Sequence, residues 1–251
     1  MDNLVASSIS YKGLKAVFNG DERKVIDTIK DIKDYSLKNK LQVQASQYWA
    51  NILKTSPSQI YYGDISDKDL ILSLQNGSLQ KEYIIGNALF VYRYGLTKLK
   101  GVIGKLVCPN ITNLPNLEFV TEGIEMGQPC DQKIKKEANL PKLKRCQYID
   151  LSGLKILSLN IKDTSFINLA RTDIKDFHIK KAKEIILDNS NIKNISSLEK
   201  VDHLSLYSVD CKKLKINSKL IINKQVDFAN INGEIMEKYL KKNKIITQYE
   251  K

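Results

Sequence analysis

Histidine is almost missing from this chain, cysteine is scarce and long apolar runs do not occur, and each shortage closes off a class of function. The 251 residues include 2 His and 4 Cys. His178 and His203 stand alone, and the sequence holds no H-x-x-x-H, no C-x-x-C, no G-x-S-x-G and no Walker-type glycine loop. Zinc hydrolysis, acyl transfer on a nucleophile elbow and phosphate cradling by a P-loop therefore lack their residues, and no catalytic residue, cofactor or metal is expected. The cysteines at 108, 130, 146 and 211 lack metal-ligand spacing, and they are too few for a disulfide framework in a chain of this length. No segment approaches the ~20 apolar residues of a membrane span. Met1-Asp-Asn-Leu-Val-Ala-Ser-Ser8 has neither the basic start nor the apolar stretch of a Sec signal. The expectation is a cytoplasmic protein, or one secreted into a host cell by a signal-independent route.

What the chain does have is repetition. Tyr148-Ile-Asp-Leu151, Phe166-Ile-Asn-Leu169, Glu184-Ile-Ile-Leu187, His203-Leu-Ser-Leu206 and Lys219-Leu-Ile-Ile222 align, with first apolar anchors at 149, 167, 185, 204 and 220. The steps are 18, 18, 19 and 16 residues. Apolar pairs spaced by two suit a strand with one buried face, and a fixed period of such strands is the signature of a solenoid. The clearest copy runs Ile185, Leu187, Ile192, Ile195, Leu198, Val201, Leu204, Leu206, a strand pair followed by intervals of three and then the next strand pair. The same grammar recurs in Leu140, Leu143, Cys146, Ile149 and Leu151, with fragments at Leu99 and Val102 and at Ile111, Leu114 and Leu117. Cys146 and Cys211 occupy its apolar positions, which predicts reduced core thiols.

This run resembles a leucine-rich repeat. The resemblance covers about 95 to 231 and is strongest from 140 to 222. It implies an α/β fold class: a right-handed leucine-rich-repeat-like solenoid with a parallel β-sheet, preceded by an N-terminal helical region. Two departures stand out. Repeats of 18 are shorter than the ~20 to 29 usual for the family, which leaves a 3₁₀ or extended return instead of a helix. The position of the family's turn-capping Asn holds Thr172, Ser190 and Val209. Some bacterial members carry a ubiquitin-ligase domain with a catalytic cysteine. Cys130, in Gly127-Gln-Pro-Cys-Asp131, is the loop-like cysteine here, yet it has no histidine nearby in sequence.

Residues 1–94 read as a helical capping region. Val25, Ile29 and Ile32 make a helical stripe behind Asp21 and Glu22, Leu41 to Leu53 forms a second helix, Ser66-Asp-Lys-Asp69 opens a third through Leu74, and Gln80 to Val91 forms a fourth. These helices are expected to cover the open end of the first repeat, since terminal repeats need a cap. Residues 95–231 then form the solenoid, and 232–251, with a helix over Gly233 to Leu240, its C-terminal cap.

The net charge is +12, and residues 1–94 supply only 12 Lys and Arg against 10 Asp and Glu, so the basic excess belongs to the repeats. Lys155, Lys175, Lys193 and Lys212 each follow an inward residue and are expected to stack into a column that repels itself and suits an anion. The strand residues between the anchors form another surface, with Tyr148, Phe166, Glu184 and His203 in one column, Asp150, Asn168, Ile186 and Ser205 in the next, and Asp188 and Tyr207 in a third. Exposed aromatics beside charges are the material of a protein-binding face. The expected function is binding of a protein partner through these ten residues. The Lys-, Asn- and Ile-rich composition and the family analogy suggest a bacterial effector acting on a host protein. Two alternatives stand beside it: polyanion binding (nucleic acid or acidic lipid) on the lysine column, and an enzyme with a site that no motif marks.

Overall fold

In the computed structural model, which describes residues 9–66, 74–75, 78–89, 95–109, 113–127, 136–210, 213–227 and 246–247, the repeated strands find one another in parallel. Tyr148 pairs with Phe166, Phe166 with Glu184 and Glu184 with His203, which places Ile149, Ile167, Ile185 and Leu204 side by side. The product is a parallel-sheet β-solenoid of about 7 turns. Of the eight positions from Ile185 to Leu206 that carried the repeat pattern, none is more than 4% exposed. The intervals of three have a simple cause. In the strand Lys155–Asn168 the buried residues are Ile156, Leu159, Ile161, Thr164 and Ile167, and wherever three separates them two successive side chains face out and the strand bends.

Four successive coils end their inner ladder in the same tight turn. Leu154, Thr172, Ser190 and Val209 donate their amides to Leu151, Leu169, Leu187 and Leu206, and the third residue of each turn is left-handed: Gly153, Arg171, Asn189 and Ser208, with φ from 55° to 73°. Glycine and asparagine take that backbone readily, whereas serine pays a steric cost of about 1 kcal/mol. Ser208→Gly is therefore expected to raise stability by about 0.5 to 1 kcal/mol, read as a higher urea midpoint. A lower midpoint would mean that the Ser208 side chain holds the turn. The capping position keeps no asparagine, yet it works where it can: Thr172 Oγ1 donates to the Leu169 carbonyl at 2.6 Å.

The expected fifth strand is slipped. His203 pairs with Gln225 and Leu204 with Val226, across a bulge between Val201 and His203. Leu220 belongs to the preceding stretch, where its amide bonds to Asn217 as that of Leu198 does to Ile195. Extra residues in this coil cause the slip, and Leu220 with Ile222 imitates a strand pair because both are buried for other reasons.

Among the described residues the N-terminal region holds three helices, α1 (Tyr11–Val17), α2 (Glu22–Asp31) and α3 (Tyr35–Leu53). Ser10, Asp21 and Asp34 cap them by accepting from Gly13, Lys24 and Leu37 amides. The cap at Asp34 starts α3 six residues before the expected Leu41. Lys54, at φ 53°, closes it ahead of Ser56 and Pro57. The parallel sheet begins at Ile60, so a domain boundary at 94 falls inside it. Tyr83–Ile85 and Ala88–Leu89 are strands where a fourth helix was expected. Gly86 decides this: its φ is 137°, and a Cβ there would lie 2.3 Å from the Gly63 carbonyl oxygen. Gly63, Gly86 and Gly104, at φ 121°, 137° and 142°, stack at one corner of the first three coils. The expected third helix falls largely on 67–73 and the C-terminal helix on 233–240, outside the described residues. Leu74–Gln75 pairs antiparallel with Ser78–Leu79, and Ile246–Thr247 adds a parallel strand to Ile221–Ile222.

The helices pack on the first coils, against the outward side chains of their strands. Val25, Ile26, Ile29, Leu41 and Ala45 share one buried cluster with Ile60, Tyr62 and Ile85, while the alternate residue Ile84 belongs to the solenoid core and Tyr61 packs against it. The outer face of these coils is apolar and needs cover, which a polar-faced solenoid would not. Two polar contacts fix the arrangement. Arg23 makes a two-pronged bond to Asp64 at 2.6 and 2.7 Å, and Glu22 accepts from the hydroxyls of Tyr11 and Tyr62 at 2.8 and 2.6 Å. Burial alone would raise the Asp64 carboxyl, but the bonds from Arg23 and the Asn87 amide outweigh it and hold its pKa low.

Candidate binding surface

Where the strands bend, two outward residues in a row belong to two adjoining surfaces. On one side stand Tyr148, Phe166, Glu184 and His203, as expected; on the other stand Gln147, Ser165, Lys183 and Asp202.

The expected partner-binding residues do meet. Tyr148 and Phe166 stack with centroids 4.8 Å apart and planes at 6°, followed along the ladder by Glu184 and His203. Tyr207 is 44% exposed. Burial raises the Tyr148 phenol, and the carboxylates of Asp150 and Glu125 raise it further, so it stays neutral. Asp150 and Asn168 are held by hydrogen bonds in the turn that follows each, and Asp188 and Ser205 by hydrogen bonds across adjoining coils. Asp150 accepts from the Ser152 amide and Asn168 from the Ala170 amide, while Asp188 accepts from both the Tyr207 amide and Ser205 Oγ. Ser205 is buried at 5% and does not present itself to a partner, a correction with a clear cause: its hydroxyl is drawn onto Asp188 in the adjoining coil. Ile186 is half-buried between Asn168 and Ser205.

His203 sits between two carboxylates. One ring nitrogen is 2.6 Å from Asp227 and the other 3.6 Å from Glu184. Burial would raise Asp227, but the bonds from His203 and Gln225 lower it. With Nε2 engaged by Asp227 and Nδ1 turned toward Glu184, the imidazole links side chains of the coils on either side of it. Burial pushes the thiols of Cys108 and Cys146 up to about 12, so both stay protonated and inert. Cys130 and Cys211 lie outside the described residues. Among the described residues no group of three His, Cys, Asp or Glu could hold a metal ion, and no helix is long and apolar enough to cross a membrane.

The lysine column does not form as expected. Lys155 stands opposite Asp173 and pairs with Glu137 at 3.1 Å, while Lys175 lies two residues further along. Leu154 and Ile174, the inward residues that Lys155 and Lys175 follow, are 20 residues apart, whereas the coil repeats every 18 and Ile174 pairs with Ile156. Lys193 stands in the next coil beside the Lys215 amide, and Lys212 is outside the described residues.

The sequence reading missed the neighbouring groove. About 830 Å³ in volume, it runs across the strands past Phe119-Val-Thr121, Arg145-Cys-Gln147, Asp163-Thr-Ser165, Lys181-Ala-Lys183 and Lys200 with Asp202. The middle residues Val120, Cys146, Thr164 and Ala182 turn inward, and their polar atoms are satisfied locally, Cys146 Sγ on the Tyr148 carbonyl and Thr164 Oγ1 on the Gln147 carbonyl. At one end α3 contributes Trp49, Ile52 and Leu53 beside Ile103 and Phe119. Phe119 stacks on Tyr83 and lies under the Arg145 guanidinium, 5.3 Å away. Four cations, Arg145, Lys181, Lys183 and Lys200, face two carboxylates, Asp163 and Asp202. The signal existed in sequence as the triplets around 120, 146, 164 and 182, but the α3 wall is about 100 residues away in the chain and no spacing connects it.

Compared with known proteins, the chain matches no family model, and no curated protein is significantly similar to it.

Proposed function

We propose that this chain is a binding module for another protein, built as a short, irregular solenoid of the leucine-rich-repeat kind, and that it performs no catalysis of its own. The observation that carries the reading is the composite surface at the strand bend, where the stacked Tyr148 and Phe166 adjoin a groove floored by small inward residues. Rigid aromatics at the centre of an exposed, otherwise polar surface are typical anchors for a partner. The solenoid frame supports this role, since each coil holds its outward residues in fixed register with its neighbours. Delivery of the protein into a host cell remains part of the proposal on the analogy with bacterial proteins of similar style.

The test compares capture of partners from a eukaryotic lysate by the wild type, by Tyr148→Ala with Phe166→Ala, and by Lys175→Gln with Lys193→Gln. Loss of captured protein in the aromatic variant, by about 2 kcal/mol of affinity, with an unchanged melting temperature, is the expected result. Loss in the lysine variant alone, together with weaker heparin retention, would replace the reading with polyanion binding.

A further inference from the structure

The groove is not uniform along its length, and that asymmetry specifies an occupant. At the α3 end the lining is Trp49, Ile52, Leu53, Ile103 and Phe119, with Ile52 50% exposed although it is a large apolar side chain. At the far end Lys181, Lys183 and Lys200 dominate, and among the described residues none of them, nor Arg145, has a carboxylate within ion-pair distance. The carboxylates nearby do not neutralise them. Asp202 accepts from Asn223 at 2.6 Å, and Asp163, in register with Lys181, makes no ion pair with it. Several lysines elsewhere on the solenoid are paired, among them Lys105 with Glu125, Lys155 with Glu137 and Lys180 with Glu199, while others such as Lys162 and Lys219 stand singly among the described residues; what distinguishes the groove is that its cations gather along one trough. An excess of unpaired cations facing a partly apolar trough is a mild cost in the free protein that an acidic ligand relieves.

We infer that the groove takes an extended, acidic segment of a partner protein, with apolar side chains against α3 and carboxylates over Lys181, Lys183 and Lys200. This rests on the protein-binding reading and gives it a chemistry. Five steps between neighbouring coils separate Ile103 from Asp202, and at ~4.8 Å per step the groove is about 24 Å long. An extended peptide covers that distance in about seven residues. The segment lies across the strands rather than beside an edge, so it gains no ladder hydrogen bonds, and side chains carry the recognition. A polyanion such as nucleic acid suits the groove less well, because its phosphates would also have to lie on the apolar side chains of Ile52, Leu53 and Ile103.

A phage-displayed library of random nine-residue peptides, selected on the full chain, tests this directly. Selected peptides are expected to carry aromatic or aliphatic residues at one end and Asp or Glu at the other. The best of them, made synthetically, should bind about tenfold more weakly to Lys181→Glu with Lys183→Glu, and also to Ile52→Asp, while both variants keep the wild-type melting temperature because these side chains are exposed. Selected peptides without acidic residues, equal binding to the charge-reversed protein, or no selection at all would overturn the inference. Heparin that competes for the groove more strongly than the peptides would do so as well, in favour of a polyanion. If the inference fails while the Tyr148 and Phe166 variant still loses its captured protein, only the groove assignment falls. Failure of both removes the protein-binding reading.

Discussion

Leu187→Ala is expected to lower the stability of the protein by about 2 to 5 kcal/mol. Leu187 is fully buried in the ladder Leu151, Leu169, Leu187, Leu206, each the first residue of the repeated turn. In a solenoid every coil closes its core only against the coils above and below. A cavity at Leu187 is therefore felt by the coils of Leu169 and Leu206 together, and neither can relax into it without moving its own turn. Urea unfolding by circular dichroism measures the effect. A loss under about 1 kcal/mol would mean that the ladder is not packed as described.

Gly86→Ala should cost at least about 3 kcal/mol, by a different mechanism. At φ 137° the backbone of Gly86 lies where side chains are strained whatever the space, and the added carbon would meet the Gly63 carbonyl oxygen at 2.3 Å and its carbon at 2.5 Å. Both contacts are backbone, so no side chain can swing aside. The displacement passes to Asp64, whose carboxylate accepts from the Asn87 amide and binds Arg23 of α2, so the helices are expected to loosen with the first coil. Gly20→Ala is the control. Gly20 also has positive φ, 80°, but nothing lies within 4 Å of its missing Cβ. It should cost only about 1 kcal/mol. Equal losses in the two variants would show that backbone strain, and not the stacking of the glycines, is what Gly86 relieves.

Legibility in the sequence followed coil length. From Ile149 to Leu206 the coils repeat at 18, 18 and 19 residues, and the anchors, the inward residues and the parallel pairing were all readable there. Before that, Ile60–Tyr62 pairs with Tyr83–Ile85 at a step of 23, and Gly123 with Tyr148 at 25. Loops of unequal length hide the period, and Tyr83, Ile84 and Ile85 are apolar on both faces because α2 and α3 cover the outer one. A continuous apolar run is ambiguous between helix and strand. The glycines at 63, 86 and 104, each after an apolar strand, were the available signal for the first coils.

The sequence by itself determined the repeating inward ladder, because a residue that must be buried in every coil recurs at the length of the coil, and that length is written in the chain. It also determined which aromatics and charges share the columns beyond the bend, since alternation along a strand is local. Only the tertiary structure decided which charges oppose one another, because a two-residue error in coil alignment moves Lys175 away from Lys155 and puts Asp173 in its place. Only the tertiary structure decided the groove, whose α3 wall and strand floor meet because the apolar outer face of the first coils draws the helices onto it. Contacts of that kind follow from which surfaces need cover, and neither period nor motif records them.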